Sequence, residues 1–490
     1  MHRSASCIAA AVVAAATLSA QGLPSSGLIY QQIIPIPGWR TTGSAGNANV
    51  DVMGFNPVTR MMYLADRTNH GVDVIDTRIN GVVAFLPMAA NSVPNVPLVA
   101  IDLQQLVVTD GVKSVLVWDL RAPQPSQPDQ YVMPSTTTDG LDYDPINQTV
   151  YVITDDAPYY LVGISLAYKK IVSQTVLPGS ADLIKFNPVD GKIYVGMEDA
   201  DNAFAGAGVV VFDPVTASIT ANYKIGPACP VHGIDIDPIA NIAVVGCFGA
   251  SAVTGDLAVN LKDGKVLKTF TDEGGPGGGT DTVVFNPNNR RFYSGSGLNT
   301  ATTSGCPTAF AATATAVKRT PVMGVTDVIG GTPKLDGIVC TGGGHIAGVD
   351  PITNFVYVPT SQYPADPASN ATGQSGVLVF RDPTPPAQAL VTQATATLAG
   401  TGATSGAVQF ALNGRRMRVT SFPTGVVGQA AWLVIPTTVG NELAQCAVDV
   451  KSAQAVCGED LLGDPLIGGT ITLSVDTVPV ARGIVALPSK

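Results

Sequence analysis

Aspartate and histidine recur at one position of a repeated sequence pattern, six residues before the proline of an Asn-Pro or Asp-Pro step. The residues at that position are Asp51, Asp139, Asp182, His232, Asp281 and His345. The whole chain of 490 residues has only four histidines, and two of them belong to this set. Carboxylates mixed with imidazoles suit divalent cations such as Ca²⁺, Mn²⁺ or Zn²⁺, and imidazole can also transfer protons. The set is therefore a candidate metal site, with His232 and His345 as candidate catalytic residues.

A structural role for the same residues is the alternative. Asp and His side chains at the junction of a turn and a strand often form hydrogen bonds with nearby backbone and fix the turn. Several carboxylates close together would raise one another's pKa unless a cation lay between them. That repulsion is the reason for proposing a metal, and the sequence leaves both interpretations open.

A repeat predicts the elements that position these residues. Its prolines are Pro57, Pro145, Pro188, Pro238, Pro287 and Pro351. A further copy fills the gap after the first, with Asp102 and Leu103 in the Asp-Pro position and Pro97 in the position of the recurring acid. The seven copies are 46, 42, 43, 50, 49 and 64 residues apart. Each holds about four short apolar runs joined by turns, which is the pattern of a propeller blade.

Two further features support a closed ring of blades. In the six proline-containing copies the residues four and two positions before the proline are apolar, as expected for a strand packed between neighbouring blades. The last copy has no evident fourth strand after residue 380, and residues 28–36 supply a spare one. We therefore expect the N-terminal segment to complete the seventh blade and leave no open edge.

The repeats resemble the YVTN family of exported seven-bladed propellers. The segments that carry the resemblance are GVDVIDTRINGVVAFLP, NPVTRMMYLAD, NPVDGKIYVG and PVHGIDIDP, within about residues 27–383. The resemblance implies the architecture, whereas a propeller by itself does not define an activity.

The predicted organisation is all-β, with two folded units after a leader. Residues 1–20 read as a signal peptide, 21–383 as the propeller, 384–390 as a Pro-rich linker and 391–490 as a small β-sandwich-like domain. Export implies a secreted or periplasmic location, and no later segment is long and apolar enough to span a membrane. The net charge of −10 and the lack of a basic run argue against nucleic acid as a partner.

Six cysteines remain after the predicted leader, and an even number in an exported chain indicates disulfides. Pairing of sequence neighbours gives Cys229–Cys247, Cys306–Cys340 and Cys446–Cys457.

Loops between the second and third strands are expected on the same face as the recurring acids. They include His70, the acids Glu198, Asp199 and Asp201, and long inserts near 298–330 and 360–376. Long loops on a rigid scaffold commonly carry function. We therefore expect an exported binding or surface-interaction protein, whose partner is a protein, a glycan or a small molecule. The alternative is a metal-dependent hydrolase or lactonase with a cation at the mouth of the channel.

Overall fold

Short segments of alternating apolar and polar residues form antiparallel strands throughout the chain, as their period of two requires. The structure is a computed structural model. It describes residues 26–39, 49–123, 126–145, 147–188, 190–198, 208–226, 229–238, 240–248, 255–270, 276, 278–297, 306, 321–363, 374–385, 393–400, 407–413, 416–420, 431–437, 440–449, 454–457, 465, 469–475 and 478–484. The predicted leader, residues 1–20, lies outside the described residues.

Seven four-stranded sheets form the blades of a propeller, which confirms the predicted fold class. Blade 1 consists of β2 (Val50–Asn56), β3 (Met61–Asp66), β4 (Gly71–Asp76) and β5 (Gly81–Pro87). Blade 2 consists of β6 (Pro94–Ala100), β7 (Gln105–Asp110), β8 (Ser114–Asp119) and β9 (Asp129–Val132). Blade 3 consists of β10 (Leu141–Asp144), β11 (Thr149–Ile153), β12 (Tyr160–Ser165) and β13 (Lys170–Val176). The strands of blades 4 to 6 are β14 (Ala181–Asn187), β15 (Lys192–Met197), β16 (Gly208–Asp213) and β17 (Ser218–Lys224); β18 (Val231–Asp237), β19 (Ile242–Cys247), β20 (Leu257–Asn260) and β21 (Val266–Thr269); β22 (Thr280–Asn286), β23 (Arg291–Ser296), β24 (Val322–Asp327) and β25 (Lys334–Cys340).

The seventh blade combines the two ends of the propeller sequence. Its strands are β26 (Gly348–Asp350), β27 (Phe355–Tyr363), β28 (Gln374–Arg381) and the N-terminal β1 (Ile29–Ile34). Strand β1 pairs antiparallel with β28, from Ile29 opposite Arg381 to Ile34 opposite Val377. The predicted closure by residues 28–36 is confirmed.

Apolar residues of the inner strands fill the space between blades. Ile184 and Phe186 of β14 pack in one buried cluster with Tyr151 and Ile153 of the preceding blade. Burial of such side chains contributes about 25 cal/mol per Å² of apolar surface removed from water. The core is therefore a set of layers between neighbouring sheets, and it holds the inner strands around a central channel.

The inner strands carry a recurring irregularity at their first residues. In β14 the register passes from Ala181 opposite Met197 to Ile184 opposite Val195, so one extra residue is accommodated. Strands β2, β6, β18 and β22 show a register shift at the same place. Such β-bulges bend the strand and redirect side chains, and they are common beside functional sites.

The second blade corrects one alignment made from the sequence. Ala100 pairs with Gln105 across the first turn, as Asn56 pairs with Met61 in blade 1. Ile101, not Leu103, therefore stands in the proline position, because the turn at Ile101–Leu103 is a short 3-10 helix that lacks the Asp-Pro step. The residue six positions before Ile101 is Asn95, so the assignment of Pro97 to the recurring position is wrong.

The C-terminal strands form a second all-β unit. They are β29 (Gln393–Gly400), β30 (Ala407–Asn413), β31 (Arg416–Thr420), β32 (Ala431–Thr437), β33 (Gly440–Asp449), β34 (Gln454–Cys457), β35 (Thr470–Val475) and β36 (Val478–Ile484). Their pairing runs continuously from β29 round to β36 and back, which makes a closed barrel where we expected a sandwich-like arrangement. Alternating strands fit both architectures, and only the pairing of the first strand with the last separates them.

The barrel lies against the face of the propeller that carries the proline turns. Thr470 donates a hydrogen bond from its hydroxyl to the carbonyl oxygen of Pro188 at 2.9 Å. Thr437 and Asn441 line a cavity of about 230 Å³ together with Pro188 and Pro238. No helix among the described residues has the length and apolar character needed to cross a membrane.

Candidate functional site

One polar residue from each blade lies at the start of the inner strand, on the face opposite the proline turns. These rim residues are Asp51, Asn95, Asp139, Asp182, His232, Asp281 and His345. The corrected alignment of blade 2 makes the position polar in all seven blades. The bulges lie at this point of the inner strands, which supports a local role in directing these side chains.

Four consecutive rim residues form a connected chain of contacts. Nδ1 of His232 contacts a carboxylate oxygen of Asp182 and lies 3.3 Å from Oδ1 of Asp281. The other carboxylate oxygen of Asp281 lies 3.2 Å from Nε2 of His345. The structure thus brings together the residues that sequence spacing had placed in four different repeats.

Glu198 completes the surroundings of His232. Its Oε1 lies 2.7 Å from Nε2 of His232, so both ring nitrogens face carboxylates. The hydroxyl of Ser180 contacts the other oxygen of Glu198, and the ring of Phe248 lies over the imidazole with 4.1 Å between centroids. The sequence had placed Glu198 only on an acidic loop, and its role beside His232 was missed. Asp199 and Asp201 of that loop lie outside the described residues.

Glu198 and Phe248 belong to a second repeated position that sequence reasoning missed. It lies ten residues after the proline position, at the exit from the second strand of each blade. These exit residues are Arg67, Gly111, Asp155, Glu198, Phe248, Gly297 and Ser361. The offset from the proline position is constant although the residue types differ, so counting ten residues on from each proline could have found the positions but not their contact with His232.

The opposite part of the rim is held by Arg67. Its guanidinium contacts the carboxylate of Asp51 and donates to Oδ1 of Asn95 at 2.6 Å. Asn95 in turn donates from its amide to the carbonyl oxygen of Thr138 at 2.6 Å, next to Asp139. Asp51 therefore has a protein cation as its partner, which is a structural role other than the backbone hydrogen bonding considered from the sequence.

The electrostatics of the rim reflect an excess of carboxylates. Burial raises the pKa of Asp139 well above its usual range, and the nearby carboxylates of Asp182 and Asp51 add to the effect. Burial also raises the pKa of Asp182 to about 6, although the charge of His232 opposes the shift. Partial burial and the carboxylates of Glu198 and Asp156 raise the pKa of Asp155 to about 6. These acids favour any cation that can approach them.

His232 and Asp281 shift in the direction of an ion pair. Burial acts to lower the pKa of His232, but the carboxylates of Asp182, Asp281 and Glu198 outweigh it and raise the pKa to about 12. Burial acts to raise the pKa of Asp281, but His232 and His345 hold it below its usual value. Without another cation, the His232 imidazole therefore carries a proton on each nitrogen.

Only part of the predicted metal set lies close enough to share one ion. Among the described residues, Asp182, Glu198 and His232 each offer a ligand atom, and these atoms lie within 4.8 Å of one another. Asp281 contacts the imidazole of this group, and His345 is linked to it through Asp281. Asp51 faces Arg67 instead, and Asp139 lies outside the group of three.

Deeper in the channel the inner strands place a second set of charges. Nζ of Lys185 lies 3.3 Å from Oδ1 of Asp235, and Asp142 lies close enough to raise the pKa of the same lysine. Each aspartate also accepts a backbone N–H from the next blade, Asp142 from Phe186 at 2.6 Å and Asp235 from Phe285 at 2.8 Å. Asp142, Lys185 and Asp235 line a cavity of about 290 Å³, and the two aspartates connect neighbouring blades.

Two of the three predicted disulfides are formed. Cys229–Cys247 has a Cα–Cα distance of 4.7 Å and lies in blade 5, and Cys306–Cys340 has a distance of 5.9 Å and lies in blade 6. Strands β33 and β34 place Cys446 directly opposite Cys457, and that disulfide stays a prediction. His70 lies in a loop of the rim face, where its Nδ1 is 2.8 Å from the carbonyl oxygen of Ser92. Most of the long inserts near 298–330 and 360–376 lies outside the described residues.

Comparison with known proteins supports the architecture. No family model matches the chain, and no curated protein matches it either. A chain of the solved structure described as "Crystal Structure of Mitotic Checkpoint Complex" is similar, with a TM-score of 0.52. The match covers 78% of this chain and 100% of that one at 9% sequence identity. The similarity is one of fold. The chain is a seven-bladed β-propeller, and propellers serve many unrelated functions.

Proposed function

We propose that this chain is an exported binding protein that receives its ligand at the rim of the propeller channel. The ligand is a protein, a glycan or a small molecule that presents a positively charged or polar group to the rim acids. The sequence likeness to the YVTN repeats supports export, and two disulfides favour an oxidising compartment.

The observation that carries this proposal is the convergence at the rim. The contacts among Asp182, His232, Asp281 and His345 join side chains of four blades, and Glu198 adds a further carboxylate. The side chains of the group are partly exposed, from 12% for Asp182 to 33% for His345, so a ligand can reach them.

The placement of the barrel also supports the rim face as the binding face. The barrel contacts the proline turns, so it occupies part of the opposite face of the propeller. The rim face carries the acids. The sequence predicts that its longest inserts, near 298–330 and 360–376, lie on this face as well. A rigid ring that presents loops and charges on one face suits the recognition of a partner.

The test compares binding by charge-matched variants. Wild type, D182N/E198Q/D281N and the control D129N/D213N/D263N are applied to a glycan array and to a panel of lysine- and arginine-containing peptides. The control removes the same number of charges away from the rim. We expect wild type and the control to bind the same probes and the rim variant to lose them. Equal binding by all three proteins, or binding by none, would contradict the proposal.

A metal-dependent hydrolase or lactonase is the second candidate. The observation in its favour is His345, which contacts Asp281 but stands outside the group of three ligand residues. An imidazole beside a possible cation site is placed to exchange protons with a bound substrate. Hydrolysis of a lactone and aryl-ester panel that H345Q abolishes would favour this function, and no turnover above the buffer rate would remove it.

A further inference from the structure

We propose that Asp182, Glu198 and His232 bind a divalent transition-metal ion of the zinc class at the rim. This inference rests on the proposed function, because it assumes that the ligand binds at the rim face. The three residues come from rigid elements: Asp182 from β14, Glu198 from the end of β15 and His232 from β18 of the next blade. Asp182 contacts Nδ1 of His232 and Glu198 faces Nε2, so the backbone positions are fixed and one carboxylate has to turn about its side-chain bonds for all three residues to meet one ion.

The donor atoms select the class of metal. One imidazole nitrogen and two carboxylates are a common set for Zn²⁺, whereas Ca²⁺ prefers six to eight oxygen ligands. Imidazole also raises the affinity for Zn²⁺ over Mn²⁺, in keeping with the general order of divalent ions. The sequence alone had left Ca²⁺, Mn²⁺ and Zn²⁺ equally open, and the nitrogen ligand now narrows the choice.

The charge balance favours a metal over a proton. Asp182 and Glu198 contribute two negative charges. A protonated imidazole reduces the net charge of the group to −1, whereas a divalent ion bound with a neutral imidazole brings it to zero. The carboxylate of Asp281, 3.3 Å from Nδ1 of His232, adds a further negative charge beside the group. A divalent ion between closely spaced carboxylates offsets their mutual repulsion, which is stronger at a partly buried position than in water.

The surroundings of His232 can orient it as a ligand. Nδ1 contacts Asp182 and lies 3.3 Å from Oδ1 of Asp281, and Nε2 faces Glu198. With Nε2 and Glu198 on the ion and Asp182 turned toward it, Nδ1 keeps Asp281 as its acceptor. A carboxylate that accepts the N–H of one ring nitrogen while the other binds metal is the usual support of a histidine ligand. Phe248 lies over the ring at 4.1 Å between centroids and limits its rotation. Asp281 is therefore a positioning residue in this proposal.

Three protein ligands leave an open coordination position. Structural zinc sites use four protein ligands, whereas sites that bind a substrate or a partner keep one position for water or the ligand. The partial exposure of Glu198, at 26% of its side chain, leaves this side of the group accessible. The ion would then contact the partner directly, through a carboxylate or a carbonyl oxygen of that partner.

The test measures metal binding on the full mature chain after treatment with a chelator. Zn²⁺, Ca²⁺ and Co²⁺ are titrated separately by calorimetry, and Co²⁺ is also followed by its visible absorption. We expect about one Zn²⁺ per chain, intense absorption of the kind given by four-coordinate Co²⁺, and weaker binding of Ca²⁺. H232Q should weaken Zn²⁺ by more than about 100-fold, and D281N by about 10- to 100-fold.

H70N is the matched control, because His70 lies on the same face but contacts the carbonyl oxygen of Ser92, and asparagine tolerates its positive φ. It should leave the affinity for Zn²⁺ within about threefold of wild type. Absence of Zn²⁺ uptake and of the Co²⁺ spectrum in wild type would overturn the proposal without any variant having to fold. Equal weakening by H70N and H232Q, or preference for Ca²⁺ over Zn²⁺, would overturn it as well.

The array experiment separates this inference from the proposed function. Rim-dependent binding of a probe that persists in excess chelator would sustain the binding function and refute the metal. Zinc uptake that depends on His232, together with array binding that the rim variant does not change, would sustain the metal site and refute the proposed binding function.

Discussion

At the rim, each ring nitrogen of His232 faces at least one carboxylate, and this arrangement determines the protonation of the side chain. Asp182 and Asp281 lie on the Nδ1 side and Glu198 on the Nε2 side. A neutral imidazole could donate from only one nitrogen, so the second contact would bring two lone pairs together. The charged form removes that conflict.

The first prediction concerns this proton. With its pKa raised to about 12, His232 should stay protonated from about pH 5 to about pH 9 in metal-free protein. Nitrogen NMR of labelled histidine, assigned with H232Q, should show a cationic ring throughout that range. Titration with a midpoint near the usual value of about 6.5 would refute it. Addition of Zn²⁺ should then change the signal to that of a neutral, metal-bound ring.

A buried pair of acids in blade 1 gives the second prediction. Burial and the neighbouring carboxylate of Asp66 raise the pKa of Asp73 to about 8. Asp66 accepts hydrogen bonds from Trp39 at 2.9 Å and from Asn69 at 2.6 Å, so its position is fixed. Asp73 thus keeps a proton in the folded state that it loses near pH 4 when unfolded.

Between about pH 4 and pH 8 the folded chain holds more protons than the unfolded chain, so its stability should fall as the pH rises. The effect of one such group is on the order of a few kcal/mol. Urea unfolding of D73N should show a smaller decline than wild type, because the amide never ionises while the raised acids of the rim still do. The exposed control D129N should keep it, and a wild-type stability that rises across the range would contradict the assignment.

The residue types at the rim were only partly foreseeable. Asp182 and His232 recur at a fixed distance before the proline, and one sequence suffices to detect that. Glu198 occupies an equally regular position, but the residue there changes from arginine to glycine to phenylalanine among the blades. Because the residue type at this position varies among the blades, the sequence shows no recurring residue type there. The contact of Glu198 with His232 was therefore visible only in the structure.

At the level of elements, a disulfide connects the two strands of blade 5 that hold the rim. Cys229 lies just before β18, which carries His232, and Cys247 ends β19, directly before Phe248. Both cysteines are buried. The bond therefore links the segments that place the imidazole and the ring above it.

The third prediction follows from this connection. C229A/C247A should lower the free energy of unfolding by about 2–5 kcal/mol and should also weaken Zn²⁺ binding, because the imidazole is less well oriented. C306A/C340A is the matched control, since that disulfide lies in blade 6. It should cost comparable stability in thermal unfolding and leave the zinc titration unchanged. Equal loss of zinc affinity in both variants would argue against the orienting role.

Strand irregularity limited what the sequence could reveal at this scale. Alternation of apolar residues predicted which side chains pack between blades, and Ile184 and Phe186 do so. A β-bulge adds a residue without changing composition, so counting could not anticipate the shift between Ala181 and Ile184. In blade 2 the missing proline moved the alignment by two residues, and Asn95 was overlooked for that reason.

Across the whole molecule, the ring of seven sheets closes within the seventh blade, where a strand from each end of the propeller sequence meets the other by hydrogen bonding. The closure consists of the pairing of β1 with β28 and the packing of Ile34 against Val377 and Val379. Seven repeats and one spare strand made this arrangement predictable, because an unpaired edge would invite aggregation. The closing of the barrel by β29 and β36 had no comparable signal, since its strands do not repeat.

The fourth prediction tests the closure. Removal of residues 21–34 from the mature chain should expose the edge of β28, lower the midpoint of thermal unfolding by several degrees and promote association. Light scattering and calorimetry measure the two effects. Q31A, which changes an exposed side chain in the same strand, should behave as wild type. A truncated protein as stable and monodisperse as Q31A would show that β1 is dispensable.

The pairing of Ile29 with Arg381 also has a consequence for biogenesis. Strand β1 can pair only after β28, which lies more than 300 residues further along the chain, has been made. Such long separation slows the final step of folding, because the ends of a long loop have to meet. Until they meet, the edges of β1 and β28 both stay unpaired, and this is the stage at which two chains could exchange their first strands.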